Sequence, residues 1–161
     1  TDYSYNKEYV AQNERADYLR YHALHATLST QWSGLSWFQP KLTMAGNLSW
    51  KKPDAFSATD NLLKNAYYSL TMDFYPISKL RLYADFSQSV FEIAHSHYSV
   101  NSFLNAGLRY DFHPRWMVSA DLSNLLNRKD YEVSLYQGAN FQYYHVPLRG
   151  REFLVSLRFK Y

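Results

Sequence analysis

The chain has 161 residues, 17 Lys and Arg against 14 Asp and Glu, a net charge of +3, 19% aromatic and 19% charged residues, and no Cys. The length suits one structural unit, and the lack of Cys excludes disulfides and thiolate metal sites. The basic residues nowhere cluster, which argues against a nucleic-acid partner.

No apolar run approaches the roughly 20 residues of a membrane-crossing helix, so if the chain crosses a bilayer it does so as strands. Thr1 to Val10 is polar and aromatic rather than basic and then apolar, and does not read as a signal peptide. With 16 Tyr, 10 Phe and 4 Trp, the chain is richer in aromatics than a soluble enzyme of this size usually is.

In chain order, period-2 alternation predicts about seven antiparallel strands. Tyr18 to Trp32 alternates weakly and is the first. In Lys41 to Trp50, Leu42, Met44, Gly46, Leu48 and Trp50 oppose Lys41, Thr43, Ala45, Asn47 and Ser49. Ala66 to Tyr75, Leu80 to Phe91, Phe103 to Phe112, Trp116 to Ser123 and Phe153 to Tyr161 repeat the pattern. Tyr75 to Lys79 and Phe112 to Arg115 read as tight turns around Pro76 and Pro114, and Ser33 to Pro40 as a slightly longer connection at the same end. Lys51 to Asn65, Ile93 to Ser102 and Asn127 to Pro147 read as long loops at the other end. The expected fold is therefore all-β, an up-and-down antiparallel sheet with short connections at one end and long ones at the other. Transmembrane β-barrels have this asymmetry.

Three features place the apolar face against lipid. Arg81, Asp85, Arg109, Asp111 and Asp121 sit in mid-strand on the opposite face, as lumen-facing residues would. Trp50, Phe74, Phe112, Trp116 and Tyr161 stand near strand ends, where interfacial belts form. Strands of about ten residues at ~3.3 Å each, tilted by about 45°, span about 23 Å, close to the apolar band of such barrels. The alternative is a small soluble β-barrel or sandwich that binds an apolar ligand, or a β fragment that associates with itself.

The end of the chain narrows the reading. Phe153, Val155, Leu157, Phe159 and Tyr161 form an amphipathic strand closing on an aromatic. This resembles the terminal insertion signal that the barrel-assembly machinery reads in outer-membrane proteins. Upstream, Asp121-Leu122-Ser123-Asn124-Leu125-Leu126-Asn127-Arg128-Lys129-Asp130-Tyr131 and then Arg149-Gly150-Arg151 look like the end of a TonB-dependent receptor. The resemblance is closest to the outer-membrane barrels of the Bacteroidota, in which an "N-L-L/F-N-K/R-x-Y" segment and an "R-G/P-R" opening flank the last loop. It covers the last quarter of the chain well and the rest by pattern.

The resemblance implies a nutrient receptor or transporter in the bacterial outer membrane. The expected partners are membrane lipid, the assembly machinery, the remainder of a 22-stranded barrel with its plug, and a TonB-type energy coupler. About seven strands with no visible plug make residues 1–161 the expected C-terminal segment of such a barrel, with an odd count placing Thr1 on the extracellular side. An isolated form is expected in detergent or as an oligomer, because an open sheet has two unpaired edges and one apolar face.

Catalytic and metal motifs are weak. His95-Ser96-His97 puts two imidazoles on one strand face and His22 and His25 fall three apart, but no third ligand or HExxH motif joins them. Asp85 and Asp121 are a conceivable acid/base couple, yet no G-x-S-x-G elbow or Gly-rich phosphate loop accompanies them. The chain is therefore read as a non-enzyme with no metal and no cofactor. Tyr136, Phe141, Tyr143, Tyr144 and His145, in the aromatic loop, are the candidates for ligand contact. The competing reading is that they anchor at the headgroup level or pack within the loop.

Overall fold

A computed structural model describes residues 1–12, 15–51, 61–94, 97–137 and 140–161. Among the described residues, ten strands follow in order: β1 (Asp2–Gln12), β2 (Arg15–Gln31), β3 (Phe38–Lys51), β4 (Asn61–Ile77), β5 (Leu80–Ala94), β6 (His97–His113), β7 (Trp116–Ser123), β8 (Asp130–Gln137), β9 (Asn140–Pro147) and β10 (Glu152–Phe159). β1 to β7 and β10 form one antiparallel sheet in that order, and β8 pairs with β9 as a separate hairpin. The sheet is open, with β1 and β10 at its edges.

Alternation within strands becomes two faces because the register keeps like with like. Leu42 pairs with Leu70, Leu70 with Phe86 and Phe86 with Leu104. A second row runs Phe38, Phe74, Leu82, Leu108, Ala120, Val155. A slip of one residue between any two strands would turn one strand's apolar set to the wrong face, so every added strand strengthens the register. Thr43, Ser69 and Ser87 form a matching polar row behind. Among the described residues, Leu63 and Met117 are the buried hydrophobics, so this single layer has almost no interior of its own.

The structure corrects the expected count. The sheet has eight strands, because Asp2–Gln12 pairs along its whole length with β2. Its row of Tyr3, Tyr5, Lys7 and Tyr9 lacks the aliphatic residues by which the others were recognised. With eight strands, Asp2 starts from the end that carries the short turns, where β10 also finishes, and not from the long-loop end. The predicted loop Ile93 to Ser102 is largely strand, with pairing continuing to Ala94 opposite His97. The predicted loop Asn127 to Pro147 contains the β8–β9 hairpin. Strands β2 to β6 run 14 to 17 residues rather than about ten, because alternation continues past the apolar band through polar residues.

The register shifts between Phe74 and Ile77, across Pro76, and again between Tyr110 and His113 just before Pro114. A third irregularity, between Glu92 and Ala94, has no proline beside it, whereas the other two lie at or next to one.

Candidate functional site: the hairpin-covered end of the polar face

Between β7 and β10 the chain leaves the sheet and returns, and a short polar segment controls both exits. Asn124 and Asn127 adopt left-handed backbone conformations, with φ of 53° and 56°, which asparagine tolerates better than most residues. The Asn124 side chain donates from Nδ2 to the carbonyls of Arg128 (2.7 Å) and Arg149 (2.9 Å), and its Oδ1 accepts from Arg128 N at 2.8 Å. One amide thus ties the outgoing strand to the returning one. Arg151 Nε donates to the Leu125 carbonyl at 2.9 Å. A Cβ on Gly150 would lie 2.9 Å from Asn127 Oδ1, so the close approach at this crossing favours glycine. The Asn-Leu-Leu-Asn-Arg and Arg-Gly-Arg segments singled out in the sequence therefore act together as a clasp.

The clasp folds the hairpin over the polar face. Tyr131 meets the Phe91 ring edge to face (6.3 Å between centroids) and lies 6.1 Å from the Phe103 ring. Asn101 is fully buried; its Nδ2 donates to Glu132 O at 2.6 Å and its Oδ1 accepts from Glu132 N at 3.1 Å. A side-chain amide here stands in for a neighbouring strand, satisfying both backbone groups of Glu132. Ser99 Oγ donates to the Glu132 carboxylate at 2.7 Å. Hydrogen bonds from the Ser99 hydroxyl and then from the Tyr143 hydroxyl hold Glu132 below the usual carboxylate range.

Under the hairpin lies a cavity of about 210 Å³ with His25, Asn47, Asn65, Ser89, Phe91 and Tyr131 among its walls. Asn65 Oδ1 is closed off from solvent and has no hydrogen-bond partner.

The five charged residues expected on the lumen side all lie on the face opposite the apolar rows. Arg81 holds Asp73 through Nε (2.8 Å) and Nη2 (2.7 Å), and Thr71 donates to Asp85 at 2.9 Å. Asp121 accepts from the Tyr83 hydroxyl, which reaches it by lying across Gly107 on the intervening strand; a Cβ there would meet the ring at 2.6 Å. Arg109 and Asp111 pair loosely at 3.8 Å. Asp85 and Asp121 are thus each engaged by a different hydroxyl, those of Thr71 and Tyr83.

Of the aromatic loop candidates, Tyr136 and Phe141 have side chains outside the described residues. Tyr143 bonds Glu132, the Tyr144 hydroxyl donates to Gln142 at 2.7 Å, and His145 lies 3.1 Å from Asp130. The partners of these three all lie within the hairpin. Phe153, Val155, Leu157 and Phe159 lie on the apolar face of the edge strand, and Tyr161 stands beyond its end, fully exposed.

His95 and Ser96 lie outside the described residues. His22 and His25 point to opposite faces, as a spacing of three requires on a strand. His22 stacks on Trp50 at 5.1 Å and shares a hydrogen bond with Tyr3, whereas His25 bonds Thr27. Among the described residues no group of three or more His, Asp or Glu could hold a metal ion.

Asn101, Asn124 and Ser99 carry the hairpin and were not foreseen. Asn124 stood inside a visible motif, but nothing local marks Asn101 or Ser99, whose partner lies more than thirty residues away. Comparison with known proteins finds no matching family model, no matching curated protein and no matching solved structure.

Proposed function

We propose that this chain forms part of the wall of a bacterial outer-membrane β-barrel that serves as a receptor or transporter of the TonB-dependent type, with no catalytic role. The apolar rows face lipid, the polar face lines an aqueous lumen, and the hairpin covers the lumen wall at the extracellular end. Further strands of a larger barrel would pair with the edges at β1 and β10, and the assembly machinery would read the segment Phe153 to Tyr161.

The observation that carries this reading is the uncovered apolar face. Its residues align strand by strand, yet many remain open, Leu28 at 63% and Leu157 at 62% exposure. An exposed continuous apolar surface of this kind marks a membrane or partner interface. Aromatic pairs flank it at the short-turn end, with Trp37 edge-on to Phe74 at 5.6 Å and Trp116 against Phe159 at 4.7 Å, where an interfacial girdle would sit. A soluble cup or sandwich would need closure or a second sheet over these rows, and the open single sheet offers neither.

The test is fractionation of the protein expressed with an export signal in a Gram-negative host. Recovery in the outer-membrane fraction, dependent on the assembly machinery and on detergent for extraction, is the expected result. A dispersed monomer in detergent-free buffer would overturn the proposal.

A further inference from the structure

On the polar face, towards the short-turn end, β5 and β6 set two arginines directly opposite each other, Arg81 against Arg109. Like charges in that position repel, and the arrangement costs stability unless an anion lies near. The neighbouring carboxylates answer it only in part. Asp73 takes Arg81 through Nε (2.8 Å) and Nη2 (2.7 Å), but Asp111 stands 3.8 Å from Arg109, beyond hydrogen-bond distance. Asp121 is taken by the Tyr83 hydroxyl. Arg158, opposite Met117 on β10, has no ion-pair or hydrogen-bond partner among the described residues.

These three arginines and Ser119 line one cavity of about 290 Å³ that is open to solvent, with the Arg81 and Arg109 side chains 41% and 42% exposed. Arg81 is preset: Asp73 holds its edge, and its guanidinium lies 5.5 Å from the centre of the Tyr83 ring, which in turn reaches Asp121 across Gly107. A guanidinium already fixed in place loses little freedom on meeting a ligand. An adjoining cavity of about 230 Å³ shares Arg81 and Arg109 and adds Lys79 and Asp111. With Asp73 included, four cations face three carboxylates there, so the surplus is positive.

We propose that this cavity binds the phosphate group of a small soluble phosphate monoester, with Arg109 and Arg158 donating to its oxygens and Arg81 adding Nη1, the nitrogen that Asp73 leaves free. Guanidinium forks match phosphate oxygens in pairs. A carboxylate offers two oxygens in one plane and is satisfied by a single fork, whereas a phosphate monoester presents three oxygens to donors arriving from β5, β6 and β10. The site needs only the polar face of the sheet; it goes beyond the wall reading and can fail independently of membrane residence.

Full-length chain in neutral maltoside micelles at low salt, titrated calorimetrically with glycerol 3-phosphate, provides the test, with acetate as the carboxylate counterpart. The expected result is saturable binding of glycerol 3-phosphate, weaker by about fivefold or more for acetate and in Arg109→Gln and Arg158→Gln. Arg158 lies exposed on the edge strand, so its variant keeps the comparison should Arg109→Gln misfold. Arg20→Gln, which removes the same charge from β2, should bind as the parent does, and phosphatidic acid added to the micelles should not compete. Absence of glycerol 3-phosphate binding, equal binding of acetate, unchanged binding in a folded Arg109 or Arg158 variant, or an equal loss in Arg20→Gln would each overturn the proposal. Displacement by phosphatidic acid would overturn it too, by assigning the phosphate to a lipid headgroup.

Discussion

The two faces of the sheet are built by different means. The apolar face is made of repetition: rows such as Leu42, Leu70, Phe86 and Leu104 need no particular partner, only the same phase on every strand. The polar face is made of individual contacts, among them the Arg81–Asp73 pair, the Tyr83 hydroxyl reaching Asp121 across Gly107, and Asn101 satisfying both backbone groups of Glu132. A surface that needs only apolar character can be specified by residue class, because one aliphatic side chain serves there much as another. A surface that must seat a hairpin cannot, because hydrogen bonds demand defined distances and angles.

The contrast can be broken most strongly at its centre. On the proposed lipid-facing reading, Leu70→Arg puts a charge in the middle of the apolar rows and is expected to cost about 2–4 kcal/mol in a bilayer, whereas Ser69→Arg, one residue away on the polar face, should cost far less. Urea unfolding from lipid vesicles measures both, and equal losses would mean that the two faces are not distinguished by solvent.

On the polar face, Gly107→Ala forces the Tyr83 ring off the strand and away from Asp121, with an expected loss of about 1–3 kcal/mol. The same change in a Tyr83→Leu background should cost less, and a double-mutant cycle by denaturant unfolding reads the difference. Additive losses would show that the ring does not depend on the glycine.

Asn101→Ala leaves the backbone groups of Glu132 without partners and is expected to weaken hairpin docking by about 1–3 kcal/mol. Hydrogen exchange should show the Glu132 amide deprotected while the β4–β5 amides stay protected. Loss of protection throughout would mean that the hairpin and sheet open together.

The smallest effect concerns pH. Glu132 is held below the ordinary carboxylate value of about 4.3, so its contribution is present above that value and lost as pH falls through the lower folded-state value. Docking should therefore be insensitive to pH near neutrality and weaken only in acid. Tyr143→Phe should move the Glu132 titration back upward, as read by carboxyl NMR, and an unmoved titration would remove Tyr143 from the cause.

Seven of the eight sheet strands were legible because alternation is a local property: five or so residues suffice to show the phase, and the phase is the face. β1 escaped because Tyr3, Tyr5 and Tyr9 alternate with polar residues around Lys7, a mixture without aliphatic residues to mark an apolar side. The hairpin escaped because Asp130 to Pro147 reads equally as a polar aromatic loop until a surface is present for it to lie on. The Asn-Leu-Leu-Asn-Arg segment was visible as a motif, but its role as a clasp was not, since it depends on Arg149, Gly150 and Arg151 after a long excursion.

What the sequence determined alone was the all-β character, the phase of most strands and the division of residues between an apolar and a polar face, because period-2 geometry turns spacing directly into direction. What the tertiary structure decided was the eighth strand, the docked hairpin and the cavity beneath it. Those rest on pairings such as Asn101 with Glu132, whose partners lie tens of residues apart and meet only after neighbouring strands have set the register.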